Sequence, residues 1–148
     1  MAKNLTTAGA TMTGVGSTTL PAQALVGSAS ARLELVEICV TNTTAVACIY
    51  HLLRLTGAGT PGSSLTSAQH DTADVSPTGV VKQAYSGTAP TAGADLGYRL
   101  RIPGVVGAGI IRTFEGLIIP ATAAAAIAIV IDAGSGQVCD VDWTWIEL

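Results

Sequence analysis

Residues 137–148 read QVCDVDWTWIEL, and their alternation decides what kind of fold this is. Successive side chains of a strand point to opposite faces. Cys139, Val141, Trp143 and Trp145 therefore share one face, and Asp140, Asp142 and Thr144 share the other. That is a strand with one side in a core and one side in water. Just upstream, Gly134-Ser135-Gly136 is a turn, and before it runs AIAIVID at 126–132. Alanine is the best helix former, so a helix competes there. The period-two spacing of Ile127, Ile129 and Ile131, following the break at Pro120, predicts a strand instead.

The same reading extends toward the N-terminus. Residues 98–102 (YRLRI) alternate, and 109–115 (GIIRTFE) and 79–85 (GVVKQAY) are read as further strands. Residues 45–55 (AVACIYHLLRL) are apolar on both faces, as a central strand would be. In 32–41 (RLELVEICVT) Leu33 and Leu35 share one face while Ile38 and Val40 share the other, which places a bulge near Val36. The stretches 56–78 and 86–97 are Gly/Ser/Thr/Pro-rich and read as long loops. Residues 1–30 hold few large apolar groups. They predict an extended N-terminal arm that orders on binding, with a short strand near Leu25-Val26. The expectation is a single all-β domain at 31–148, a jelly-roll-like β-sandwich of about eight strands, preceded by the arm.

Composition narrows the role. The chain has 148 residues, 49% hydrophobic and only 11% charged, with a net charge of −3. A typical soluble domain carries roughly 25% charged residues. So few charges protect a lone monomer poorly against association, which predicts a surface partly covered by other subunits. Seven scattered Lys and Arg residues make no basic stripe, so no nucleic-acid partner is expected. The most apolar stretch, 117–131, is too short to span a bilayer as a helix and contains Pro120, so no membrane partner is expected either. The opening residues do not form a signal peptide, which predicts synthesis in a cytoplasm.

The motifs that resemble chemistry are weak. Gly57-Ala58-Gly59-Thr60-Pro61-Gly62 matches a dinucleotide-binding spacing, but no helix pattern follows it, so it reads as a turn. His70-Asp71 with Asp74 lacks converging ligands or a nucleophile, and Asp140 with Asp142 fits a solvated strand face. The sequons at Asn4 and Asn42 read as local turn chemistry. No catalytic, cofactor-binding or metal-binding residue is expected, and the chain is not expected to be an enzyme. Three cysteines make no disulfide framework. If Thr43-Thr44 closes a two-residue hairpin, Cys39 faces Cys48 across the ladder, within reach of a bridge in an oxidising medium. Trp143 and Trp145 suit either a core or a subunit interface. Leu20, Leu25 and Tyr50 join them as interface candidates.

The chain resembles the small head-decoration, or cement, proteins of tailed double-stranded DNA phages. The resemblance rests on the early strand ARLELVEICVTN at 31–42 and on LRLTGAGT at 53–60 followed by the 79–85 strand. It continues through Arg112-Thr113-Phe114, GLIIPATAA at 116–124, and the aromatic last strand from Trp143 to Glu147. It implies a jelly-roll-like domain, usually a homotrimer, made in a bacterial host's cytoplasm. That domain would sit on the outer capsid surface of the virion and contact the major capsid protein, with no active site to carry over. Two other classes compete: a tail- or fibre-associated, host-binding β-domain, and a carbohydrate-binding β-sandwich, which would want exposed aromatics that the long loops lack.

Overall fold

The alternation of the last strand is the pattern the fold is built on. In the structure, a computed structural model that describes residues 4–148, the strand β10 (Cys139–Glu147) lies in the middle of a five-stranded antiparallel sheet. On one side it pairs with β1 (Asn4–Thr11) and on the other with β3 (Leu33–Asn42). Beyond these lie β5 (Ala68–Gln69), against β1, and β8 (Gly109–Ile119), against β3. A second antiparallel sheet has the order β6 (Val80–Gln83), β2 (Gln23–Val26), β9 (Ala126–Ile131), β4 (Cys48–Leu55), β7 (Ala92–Ile102).

Without the two short strands β5 and β6, which both belong to the 56–91 excursion, the orders are β1-β10-β3-β8 and β2-β9-β4-β7. The first four strands alternate between the sheets, and so do the last four. This is the eight-stranded, double Greek-key pattern of a jelly roll. The expected all-β sandwich, its strand at 126–131 and the central position of β4 are what the structure has. So is the bulge at Val36: β3 slips register between Leu35 and Glu37 against both neighbours.

Four expectations are corrected. Residues 1–30 are not a detached arm in their described part, because β1 pairs along its whole length with β10 and β2 sits between β6 and β9. The reason is steric. Trp143 and Trp145 are fully buried, and their strand partners on β1 are Ala8 and Thr6. Large rings on one strand need small side chains beside them to keep normal packing density. Gly9, on the opposite face, lies under the exposed Asp142 carboxylate. The small residues that read as an arm are the complement of the tryptophans.

The second correction concerns Cys39 and Cys48. β3 and β4 belong to opposite sheets, so residues 43–47 form an arch across the sandwich and not a hairpin. Third, 92–97 is strand and not loop, since β7 begins at Ala92. Last, the 109–115 strand and the GLII segment are one strand, β8, bent where Gly116 adopts a positive φ of 69°.

The inner faces of the two sheets form one core, whose largest fully buried members include Trp143, Trp145, Tyr50, Leu25 and Ile38. Buried polar atoms there are mostly paired. The Trp143 indole N–H donates to Gln23 Oε1 at 2.8 Å, and the Gln23 amide donates to Gln83 Oε1 at 3.2 Å. The Tyr50 hydroxyl donates to the Gln137 carbonyl at 2.8 Å. The Trp145 indole N–H has no partner among the described residues.

Two measurements check this picture. Deleting residues 2–11 removes β1 and bares Trp143 and Trp145, so the truncated chain is expected to lose its near-ultraviolet circular dichroism and its cooperative urea transition. A truncated chain that keeps both would contradict the placement of β1. Burial also raises the Tyr50 hydroxyl above its usual range and pushes the Cys139 thiol up to about 12 from 9.0. The folded chain thus holds protons that the unfolded chain releases. Stability is full below pH 9 and falls as pH rises from there toward 12. The urea midpoint is expected to drop across that window and to stay flat if these groups are solvated.

Candidate interaction surface

A sandwich has two open sides, and here they are treated differently. On the β5/β6 side, β5 is only two residues long. β6 is covered by residues 62–65: Leu65 N–H donates to Val81 O at 2.9 Å and Gln83 N–H to Ser63 O at 3.0 Å. A short or covered edge cannot template another strand. On the other side, β7 and β8 are both 11 residues long, and neither has a second strand neighbour.

These two edges also differ from each other. β7 slips register twice against β4 and carries charge. The Arg99 guanidinium is bidentate to Asp95, at 3.0 and 2.8 Å, and its Nε lies 2.7 Å from Asp132 Oδ1. Those bonds from Arg99, together with the Gly97 N–H, hold the Asp95 carboxyl down to about 2. His51 Nδ1 reaches the same Asp132 oxygen at 3.4 Å. Bulges and charges of this kind blunt an edge.

The first half of β8 keeps an unbroken register with β3. Its one charged side chain, Arg112, turns inward to donate to Arg99 O at 3.4 Å, which leaves the outward side uncharged. Asn42 N–H donates to Ala108 O at 2.8 Å. By the alternation of antiparallel ladders, Val40–Ile110 and Ile38–Arg112 are then the pairs that exchange hydrogen bonds. The backbone N–H and C=O groups of Gly109, Ile111 and Thr113 consequently point away from β3 into the open. The Ile111 side chain beside them is 65% exposed. Behind this edge, Tyr98 and Phe114 close the gap between the sheets edge to face, with centroids 5.1 Å apart. The Arg112 guanidinium lies 5.8 Å from the Tyr98 centroid.

The turn that joins β7 to β8 continues the apolar surface. Val105 and Val106 are 60% and 65% exposed, and Val46 on the neighbouring arch is 55% exposed. Asn42 holds arch and turn together, because its buried amide donates to Val46 O and Pro103 O, both at 2.8 Å. One end of the molecule thus presents three exposed valines beside an edge strand that exposes Ile111.

The expected interface residues lie elsewhere. Trp143, Trp145, Leu25 and Tyr50 are fully buried in the chain's own core, so they cannot offer a face to a partner. Leu20 is half-buried in the segment that runs beside β9, where its N–H donates to Ser17 Oγ at 2.9 Å. A large aromatic on a period-two strand carries the same sequence signal in a core as at an interface. Ile111, Val105 and Val106 were visible only as ordinary apolar positions, since nothing in the residues 103–113 says which strand lacks a neighbour.

The weak motifs stay weak. Residues 57–62 are pinned to the 83–91 segment, with Thr60 N–H donating to Thr88 O at 3.0 Å, and open no helix. Asp71 accepts a hydrogen bond from Ala73 N–H in an exposed turn. Asn42 of the second sequon is a buried structural amide. Two shallow apolar hollows of about 140 and 200 Å³ lie side by side at the Leu55–Ala126 end of the second sheet. Among the described residues no three His, Cys, Asp or Glu side chains converge as a metal site, and no helix is long and apolar enough to cross a membrane. No protein-family model, curated protein or solved structure matches the chain.

Proposed function

We propose that this is a virion structural protein that decorates and stabilises the outer surface of a phage capsid, through contacts with copies of itself and with the major capsid protein. The observation that carries the reading is the open β8 edge with the exposed valines at its end of the molecule. An unpaired strand with exposed apolar side chains is a liability for a solitary protein and an asset for one that ends its life packed in an assembly. The low charge content supports the same reading, as does the resemblance to head-decoration proteins. That resemblance implies a homotrimer made in the host bacterial cytoplasm and carried on the virion.

Such a protein works by linkage. It binds the assembled shell and not the dispersed subunits, so its binding energy is added to the stability of the shell. That energy comes mainly from apolar area buried at the contact, about 25 cal/mol per Å² before the costs of association are subtracted. A rigid jelly roll suits the task, because little conformational entropy is lost when its tip docks.

The test uses the purified chain and capsids that lack it. The wild type is expected to show a three-chain mass by light scattering, to co-sediment with the capsids and to raise their disruption temperature. The variant Ile111→Lys/Val105→Asp/Val106→Asp changes only exposed side chains. It is expected to keep its urea midpoint and to bind capsids at least about tenfold more weakly, a loss of roughly 1.4 kcal/mol or more. A wild type that stays monomeric and ignores the capsids overturns the proposal, as does a variant that binds as well as the wild type.

A further inference from the structure

The three cysteines fall into two groups. Cys39 is half-buried on β3 and is flanked in the sheet by Ile111 and Asp142. Cys48 and Cys139 are both in the core, 5% and 0% exposed, and come from opposite sheets. Cys48 heads β4 just after the arch, and Cys139 heads β10 just after the 133–138 turn.

Arch and turn are stitched together at that corner. Thr43 N–H donates to Val138 O at 3.4 Å and the Thr44 hydroxyl to Gln137 Oε1 at 3.0 Å. The Gln137 carbonyl receives the Tyr50 hydroxyl at 2.8 Å and the Cys139 thiol at 3.5 Å. Cys48 belongs to the same buried cluster as Cys139 and Tyr50, and each of the two thiols acts on the other's protonation, so they are neighbours at this corner. Two facing sheets usually stand about 10 Å apart, too far for a disulfide. Here the arch and the 133–138 turn bring the ends of the two sheets together, and both cysteines are buried at that corner.

We infer that Cys48 and Cys139 are a cross-sheet dithiol that closes to a disulfide when the protein meets an oxidant of the disulfide class, with Cys39 left free. One thiolate attacks a sulfur of glutathione disulfide, whose S–S bond breaks and releases one glutathione. The second thiolate then attacks the protein sulfur of the mixed disulfide and releases the other. Two protein thiols are oxidised, and one glutathione disulfide is reduced to two glutathiones. The bond would link β4, the last of the first four jelly-roll strands, in one sheet to β10, the closing strand of the chain, in the other. It would lock a long loop of chain in the unfolded state and so favour the folded one. The proposed virion role supplies an occasion, passage from a reducing cytoplasm to an oxidising medium, but the chemistry does not depend on it.

Burial raises both thiols, so exchange in the folded chain is slow and speeds up with pH. The experiment therefore has two arms. In one, the folded protein is held with glutathione disulfide at mildly alkaline pH. In the other, the chain is refolded from urea in the same buffer. The expected product has lost two hydrogen masses, keeps one titratable thiol, yields a Cys48–Cys139 cross-linked peptide and melts about 5 °C or more above the reduced form. Cys39→Ser is expected to behave like the wild type, and Cys48→Ser and Cys139→Ser to form no intramolecular bridge. A refolded chain with three free thiols would overturn the assignment. So would one that carries glutathione on Cys48 or Cys139, or a bridged product that melts below the reduced protein. None of these outcomes bears on capsid binding, which is read separately.

Discussion

The packing of Trp143 and Trp145 against the small residues of β1 is the contact on which the rest depends. It joins the first described strand to the last and closes the sheet that carries β3 and β8. Burying two indoles is among the largest apolar contributions a domain of this size can make. It is available because the residues beside the indoles on β1, Thr6 and Ala8, are small. Once β10 is fixed between β1 and β3, the inner faces of both sheets have a common core to pack on, and β8 is left at the edge with its outer backbone groups free.

That constraint explains what could be read from the residues and what could not. Strands with large apolar side chains at period two, such as 126–131 and 139–147, declared themselves. So did the bulge at Val36, because an extra residue switches the buried face from Leu35 to Ile38. β1 stayed hidden since its contribution is the absence of bulk, and small residues carry no periodic signal. The Thr43-Thr44 arch was misread because two polar residues between apolar runs serve a hairpin and a crossing between sheets equally well. Topology separates those cases, through pairings distant in sequence.

The candidate surface was illegible for a related reason. An interface on a strand edge is a property of what is missing beside the strand, and that is decided by the order of the whole sheet. The tryptophans drew attention because they are rare and large, yet a fold with so few aromatic residues commits them to its core. Its surface stickiness comes from aliphatic side chains on a turn and an edge instead. The same economy runs through the charges: Asp95, Arg99, Asp132 and His51 gather on the outer face of the second sheet and guard β7, while the one charge on the first half of β8, Arg112, is turned inward against Tyr98.

If this chain works by packing its β8 side into an assembly, the backbone amides of that side must change state when it does so. Hydrogen exchange read residue by residue, on the free chain and on the chain bound to capsids, tests this most directly. The amides of Ile111 and Thr113 exchange freely in the unbound protein and become protected in the assembly, while those of β10 are slow in both. Protection confined to other faces, with Ile111 and Thr113 exchanging as fast on the shell as in solution, would contradict the account.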